Sequence, residues 1–154
     1  MSSTRETLPD LAAMAAYGAR IARRLRPGDV VALEGGLGAG KTTLARAILA
    51  ALGHRGEVPS PTFTIIETYD APPLRLPVVH ADFYRLESPS ELLEIGLDDY
   101  REGAALLAEW PDHAGGFDQE PGCLAITLEP AGESGEGGRI AIARAGQDWV
   151  GRMP

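Results

Sequence analysis

The sequence predicts an α/β fold, a mixed sheet with helices on its faces. Apolar runs of strand character alternate with stretches of helical apolar spacing, and clusters of turn residues separate them. The size agrees: 154 residues, 44% hydrophobic and 23% charged, predict a single domain over 1–154 with a real core.

Taken in order, Thr7 is expected to cap a first helix with Pro9 in its first turn. Leu11, Met14, Ala15, Gly18, Ile21, Ala22 and Leu25 then recur at helical spacing. Arg26, Pro27, Gly28 and Asp29 turn the chain into an apolar strand, Val30 to Leu33. A glycine-rich loop leads to a second helix, Thr42 to Leu52, with Gly53 as its C-terminal cap. After a polar loop, His54 to Ser60, the segment TFTIIETY (62–69) reads as a strand. The proline-rich turn DAPPLRLP and a second strand around 78–84 follow, which predicts a hairpin laid beside a parallel sheet. Ser88, Pro89, Ser90 and Glu91 open a short helix, and ALLAEW (105–110) reads as a buried strand. CLAITLEP and RIAIARAG flank the turn ESGEGG, so 123–154 form a C-terminal hairpin and tail.

Charge and composition narrow the function. The formal net charge of −8 disfavours a surface that tracks nucleic-acid phosphates, which needs a basic face or stripe. The first 26 residues nevertheless hold five arginines against Glu6 and Asp10. Arg20, Arg23, Arg24 and Arg26 cluster at the end of the first helix, as a solvated helix end or as a docking surface for an acidic partner or a nucleotide. Cys123 sits in an apolar run and reads as a small core residue rather than a nucleophile. One cysteine and three scattered histidines offer no metal cluster. Short apolar runs and a polar N-terminus, MSSTRETLPD, predict neither a membrane span nor a signal peptide, hence a cytoplasmic protein.

The chemistry concentrates around the only lysine. The other thirteen of the fourteen basic residues are arginine, so a compact ammonium at Lys41 answers a specific need. Gly35, Gly40, Lys41 and Thr42 fit G-x-x-x-x-G-K-[ST], with a strand before and a helix after, the context that a phosphate-binding loop requires. A glycine-rich turn with a solvated lysine is the plain alternative, and the flanking elements weigh against it. In the functional reading Gly36, Leu37, Gly38, Ala39 and Gly40, with Thr43 just beyond, surround a polyphosphate. Backbone N–H groups and the helix dipole attract it, Lys41 reaches the β- and γ-phosphates, and the Thr42 hydroxyl takes a position on Mg²⁺. The fold expectation becomes a phosphate-loop NTPase-like sheet with helices on both faces. A second carboxylate is needed for the metal and its water. Asp82 and Glu109 both end apolar strands, where ligands bind in such sheets. Ser60, Pro61 and Thr62 occupy the loop where nucleotide switches place a γ-phosphate sensor.

Together LEGGLGAGKTTL, VPSPTFTIIETY, HADFYRL and the Glu109-Trp110 pair before Pro111 resemble the TsaE (YjeE) family, small ATPases of bacterial tRNA threonylcarbamoyladenosine biosynthesis. The resemblance covers about residues 8–130. It implies ATP and Mg²⁺ as ligands and action in a complex with TsaB and TsaD, with tRNA engaged only through that complex. TsaD would perform the transfer to adenosine beside the anticodon, and the ATPase would let the cycle turn over. By position, Lys41 and Thr42 become the phosphate and magnesium residues, Thr62 lies on the switch-like segment, and Asp82 and Glu109 are the acidic catalytic and metal residues. Trp110 is placed near the nucleotide or a partner, with plain packing the alternative. Tyr84 is carried over without a stated role. Arg85 either neutralises developing phosphate charge or pairs with a carboxylate. His80 is a packed histidine or a participant. Gly36 stands where the family usually has Asp.

A GTPase is disfavoured, because the chain has no asparagine and no second lysine with which to write the guanine-reading Asn-Lys-x-Asp run. A small-molecule kinase is the serious rival. It needs an acceptor pocket and an arginine-bearing lid, whereas Leu86 to Arg101 holds one arginine at its end and a run of acids. A non-catalytic nucleotide sensor is the third reading.

Overall fold

The computed structural model describes residues 2–58, 66–132 and 138–154. In chain order the elements are β1 (Ser3–Leu8), α1 (Leu11–Arg24), β2 (Val30–Glu34), α2 (Lys41–Leu52), β3 (Ile66–Tyr69) and β4 (Val78–Asp82). These are followed by α3 (Glu91–Ile95), α4 (Leu97–Arg101), β5 (Ala105–Glu109), β6 (Cys123–Pro130) and β7 (Arg139–Ala145), with 3₁₀ turns at Pro111–Ala114 and Gln147–Trp149.

The most continuously apolar strands lie in the middle of the sheet. β2 pairs in parallel with β5 on one side and β6 on the other, and β4 pairs in parallel with β5. The order is β1-β7-β6-β2-β5-β4-β3, with antiparallel partners completing both edges. The two expected hairpins are therefore present, β3 with β4 and β6 with β7. Alternate residues of each central strand serve opposite cores. Val31, Leu33, Leu107 and Ile126 pack under α1 and α2, whereas Val30, Ala32, Leu106 and Ala108 pack with Phe83, Leu86, Leu97 and Phe117 under α3, α4 and the loops beside them. Helices thus cover both faces. Where α1 crosses α2, a Cβ on Gly18 would stand 2.7 Å from that of Ala47, so only glycine permits this approach.

The start of the chain differs from expectation. Thr7 caps nothing; it belongs to β1, opposite Ile140 of β7. Asp10 is the cap, extended at φ −150, its Oδ1 accepting the Ala13 N–H at 2.8 Å, and Pro9 precedes it. Met14, Gly18, Ile21, Ala22 and Leu25 are buried as expected, but Leu11 is 75% exposed and Ala15 is exposed, while Tyr17 is buried. The arginine cluster is partly engaged within the chain, Arg20 on Glu6 at 2.6 Å and Arg24 on the Met153 carbonyl at 3.0 Å. Cys123 is buried, and burial with nearby Asp118 and Glu120 pushes its thiol up to about 12, as befits an inert core residue. No helix among the described residues is long and apolar enough to cross a membrane.

The C-terminal tail locks onto the entrance of β2. Arg152 forks onto Asp29 at 2.8 and 2.9 Å, reaches the Arg24 carbonyl at 2.6 Å, and lies 4.1 Å from the ring centre of Trp149. Trp149 is fully buried, and its Nε1 donates to Gly122 O at 2.8 Å.

Candidate active site

Three strand ends and one helix start build the site. β2 runs out at Glu34, and the chain bends at Gly35 with φ 143; a Cβ there would meet Leu128 O at 2.6 Å and Ala39 Cβ at 2.9 Å. Residues 36–40 then wrap into α2. Because β4 and β5 are parallel with Asp82 opposite Glu109, both acids arrive at the same edge as the loop. Leu37 to Thr43, Asp82, Glu109 and Trp110 line one open cavity of about 270 Å³.

Inside it the expected residues touch one another. Lys41 is only 6% exposed, and its Nζ donates to Gly35 O at 2.7 Å and Gly36 O at 2.8 Å while lying 4.2 Å from the Trp110 ring centre. Thr42 Oγ1 donates to Glu109 Oε1 at 2.8 Å, and the other Glu109 oxygen meets His80 Nε2 at 2.6 Å. His80 is wholly buried, and its Nδ1 has no partner among the described residues. With Nε2 donating to the carboxylate, Nδ1 is left as an acceptor, and the histidine serves to orient Glu109. Asp82 Oδ1 accepts the Tyr84 N–H at 2.9 Å.

Burial sets the electrostatics. It pushes the Asp82 carboxyl upward, with Glu109 adding to the effect and the Tyr84 N–H, His80 and Lys41 opposing it. Burial likewise lowers Lys41, against the pull of Glu109 and Asp82. Two carboxylates set side by side out of water favour a cation between them. The donor set is all oxygen, a hydroxyl and two carboxylates, and no group of three or more His, Cys, Asp or Glu among the described residues would hold a metal by itself. That chemistry fits a magnesium ion that keeps waters and arrives with phosphates.

The remaining expected residues fall as follows. Thr62, with Ser60 and Pro61, lies outside the described residues. Arg85 is exposed, and among the described residues it pairs with no carboxylate. Tyr84 is 42% exposed, packs tilted against Trp110 with ring centres 4.9 Å apart, and stacks on His113 at 6.0 Å. Trp110 adopts a left-handed backbone, φ 56, which turns its indole back over Lys41. Sequence reasoning missed His113, whose Nδ1 lies 2.9 Å from Tyr84 O and 3.2 Å from Phe83 O, holding the segment that follows Asp82. Its only signal was its place four residues after Glu109. A larger cavity, about 540 Å³, lies beside α2 among Arg46, His54, Glu57 and Val58, but it lacks a convergent acid pair and adjoins in sequence the undescribed segment 59–65.

The family model for threonylcarbamoyl adenosine biosynthesis protein TsaE matches residues 8–139. The chain belongs to the TsaE family. It is 37% identical over 123 residues to tRNA threonylcarbamoyladenosine biosynthesis protein TsaE of Haemophilus influenzae, an alignment covering 76% of this chain and 77% of that protein. The Bacillus subtilis TsaE is 49% identical over 86 residues (55% of this chain, 52% of the relative), and the Streptomyces coelicolor TsaE 44% over 102 (63% and 66%). These two alignments span about half to two thirds of the relatives' own length. The crystal structure of Bacillus subtilis YdiB superposes with a TM-score of 0.75 at 31% identity, covering 94% of this chain and 86% of that one. The TsaE family takes part in tRNA threonylcarbamoyladenosine biosynthesis, and its phosphate-loop NTPase-like fold is the fold found here.

Position 36 has room for a side chain, since a Cβ there would meet nothing within 4 Å. Gly35 is the opposite case. Gly35→Ala is expected to lower stability by about 1–3 kcal/mol through its strained φ and its clash with Leu128 O. Thermal unfolding checks this; an unchanged midpoint would mean that the loop can be rebuilt without cost.

Proposed function

We propose that this TsaE-family protein binds ATP with Mg²⁺ and hydrolyses it, and that hydrolysis drives or resets a TsaB–TsaD complex that attaches threonylcarbamoyl to adenosine beside the tRNA anticodon. The observation that supports this best is the convergence of Lys41, Thr42, Asp82 and Glu109 on one cavity at the phosphate loop. When bound, magnesium neutralises and orients the phosphate oxygens. The protein's own residues do the rest. Loop N–H groups and the start of α2 receive the phosphates. Lys41 must exchange the carbonyls of Gly35 and Gly36 for β- and γ-phosphate oxygens, placing its charge where negative charge develops. Thr42, Asp82 and Glu109 are the oxygen ligands offered to the metal. Asp82, whose affinity for a proton burial raises, is also suited to orient the attacking water and accept its proton. Glu109, braced by His80, keeps the Thr42 hydroxyl in place.

Hydrolysis rather than phosphate transfer to a metabolite is favoured by α3 and α4, which carry Glu91, Glu94, Asp98 and Asp99 where a kinase would place lid arginines. A net charge of −8 favours contact with tRNA through partners only. The energy of ATP then has to act through protein contacts that differ between nucleotide states. Phosphate release measured with ATP and Mg²⁺ should be slow for the isolated protein and rise when TsaB and TsaD from the same source are added. No stimulation by the partners, or phosphate appearing on a small metabolite, would contradict the reading.

A further inference from the structure

We propose that Arg139, the first residue of β7, is a positioning residue of the phosphate loop that fixes the peptide planes through which the loop meets nucleotide. The proposal rests on the reading of this loop as a nucleotide site. Arg139 Nε donates to Ala39 O at 3.0 Å and Nη2 to Gly38 O at 3.0 Å, while Nη1 reaches Gly138 O at 2.9 Å. A trans peptide is planar, and its N–H points opposite its C=O. Holding the carbonyls of Gly38 and Ala39 toward β7 therefore directs the N–H groups of Ala39 and Gly40 the other way. The Ala39 N–H closes the turn onto Gly36 O at 3.1 Å. The same planarity turns the Gly40 N–H away from the Arg139 guanidinium that holds the Ala39 carbonyl.

The loop is thus a partition between two cavities. On one side stand Lys41, Thr42, Asp82 and Glu109; on the other a cavity of about 300 Å³ is lined by Pro9, Leu11, Met14, Gly138 and Arg139. The loop is anchored at Ala39, 5% exposed, but its outer part has little packing, since a Cβ on Gly36 or Gly38 would touch nothing and Leu37 is 76% exposed. Glycines that let N–H groups converge also let them wander. A guanidinium fork on two consecutive carbonyls removes that freedom before nucleotide arrives, and preorganised donors are what make such a site effective.

The test pairs backbone ¹⁵N relaxation of the nucleotide-free protein with equilibrium binding of ADP and Mg²⁺, for the wild type, Arg139→Ala, Arg139→Lys and, as a remote control, Arg20→Ala. Arg139→Ala is expected to lower the order parameters of Gly38, Ala39 and Gly40 while leaving β2 and β5 unchanged, and to raise the ADP dissociation constant about 10- to 100-fold. The control should match wild type in both. Unchanged loop order would overturn the proposal even if affinity fell, because Arg139 would then act on the phosphates directly. Unchanged affinity would overturn it as well. If Arg139→Ala does not fold, Arg139→Lys, which keeps the charge but not the planar fork, must show the same losses in smaller measure. Failure of the wild type to bind ADP would instead sink the nucleotide reading, and loop order in the free protein would still judge the clamp.

Discussion

Lys41→Ala is expected to lower the rate of ATP hydrolysis by about 10²- to 10³-fold, the loss that follows removal of one preorganised charge or donor at a transition state. Lys41 is more deeply set than an ordinary loop lysine. Its Nζ bridges two loop carbonyls, and its charge sits against the Trp110 ring. Truncation therefore also loosens the loop. Lys41→Met, which keeps the stem against the indole and loses the ammonium, separates packing from charge. Both variants should retain the wild-type far-ultraviolet circular dichroism and both should lose turnover. Hydrolysis at the wild-type rate in either would remove Lys41 from the mechanism.

Asp29→Ala is expected to be the most damaging change remote from the site, at about 3–5 kcal/mol, because it leaves the Arg152 guanidinium buried without its partner. Asp29 also accepts the Arg26 N–H at 2.7 Å, so its loss frees the turn into β2 together with the C-terminal tail. For a chain of this size the melting temperature should fall on the order of 10 °C. Asp29→Asn combined with Arg152→Met should lose much less than the two single changes added together, since no unpaired charge remains. Urea unfolding of the four proteins measures this coupling. A loss below about 1 kcal/mol for Asp29→Ala would show that the pair is solvated rather than buried.

Local signals in the sequence were strong where physics is local. The phosphate loop between Val30–Leu33 and the following helix, the β3–β4 hairpin around DAPPLRLP, and the apolar runs ending at Asp82 and Glu109 were legible because spacing and strand ends determine them. Contacts made across the sheet were not. Ser3–Leu8 is polar and largely exposed, so nothing in STRETL announces a strand; β7 recruits it as an edge partner. Once Thr7 is drawn into that strand, Asp10 is left to cap α1, and the helix turns Tyr17 rather than Leu11 inward. Nothing in the local sequence marks Arg139 or Arg152, yet one holds loop carbonyls a hundred positions away in sequence and the other reaches Asp29 across 123. The role of His80 is not legible locally, because it depends on which strand lies beside β4, and pairing with β5 brings it to Glu109.

The central claim is that ATP hydrolysis at this loop lets the modification complex turn over repeatedly. It is tested most directly by reconstituted threonylcarbamoyladenosine formation with TsaB, TsaD, tRNA, ATP and the threonylcarbamoyl donor, counting products per TsaD. With this protein the count should climb steadily; without it, or with Lys41→Ala or Glu109→Gln in its place, it should stall after about one product per TsaD. Sustained multiple turnover in the protein's absence would contradict the account.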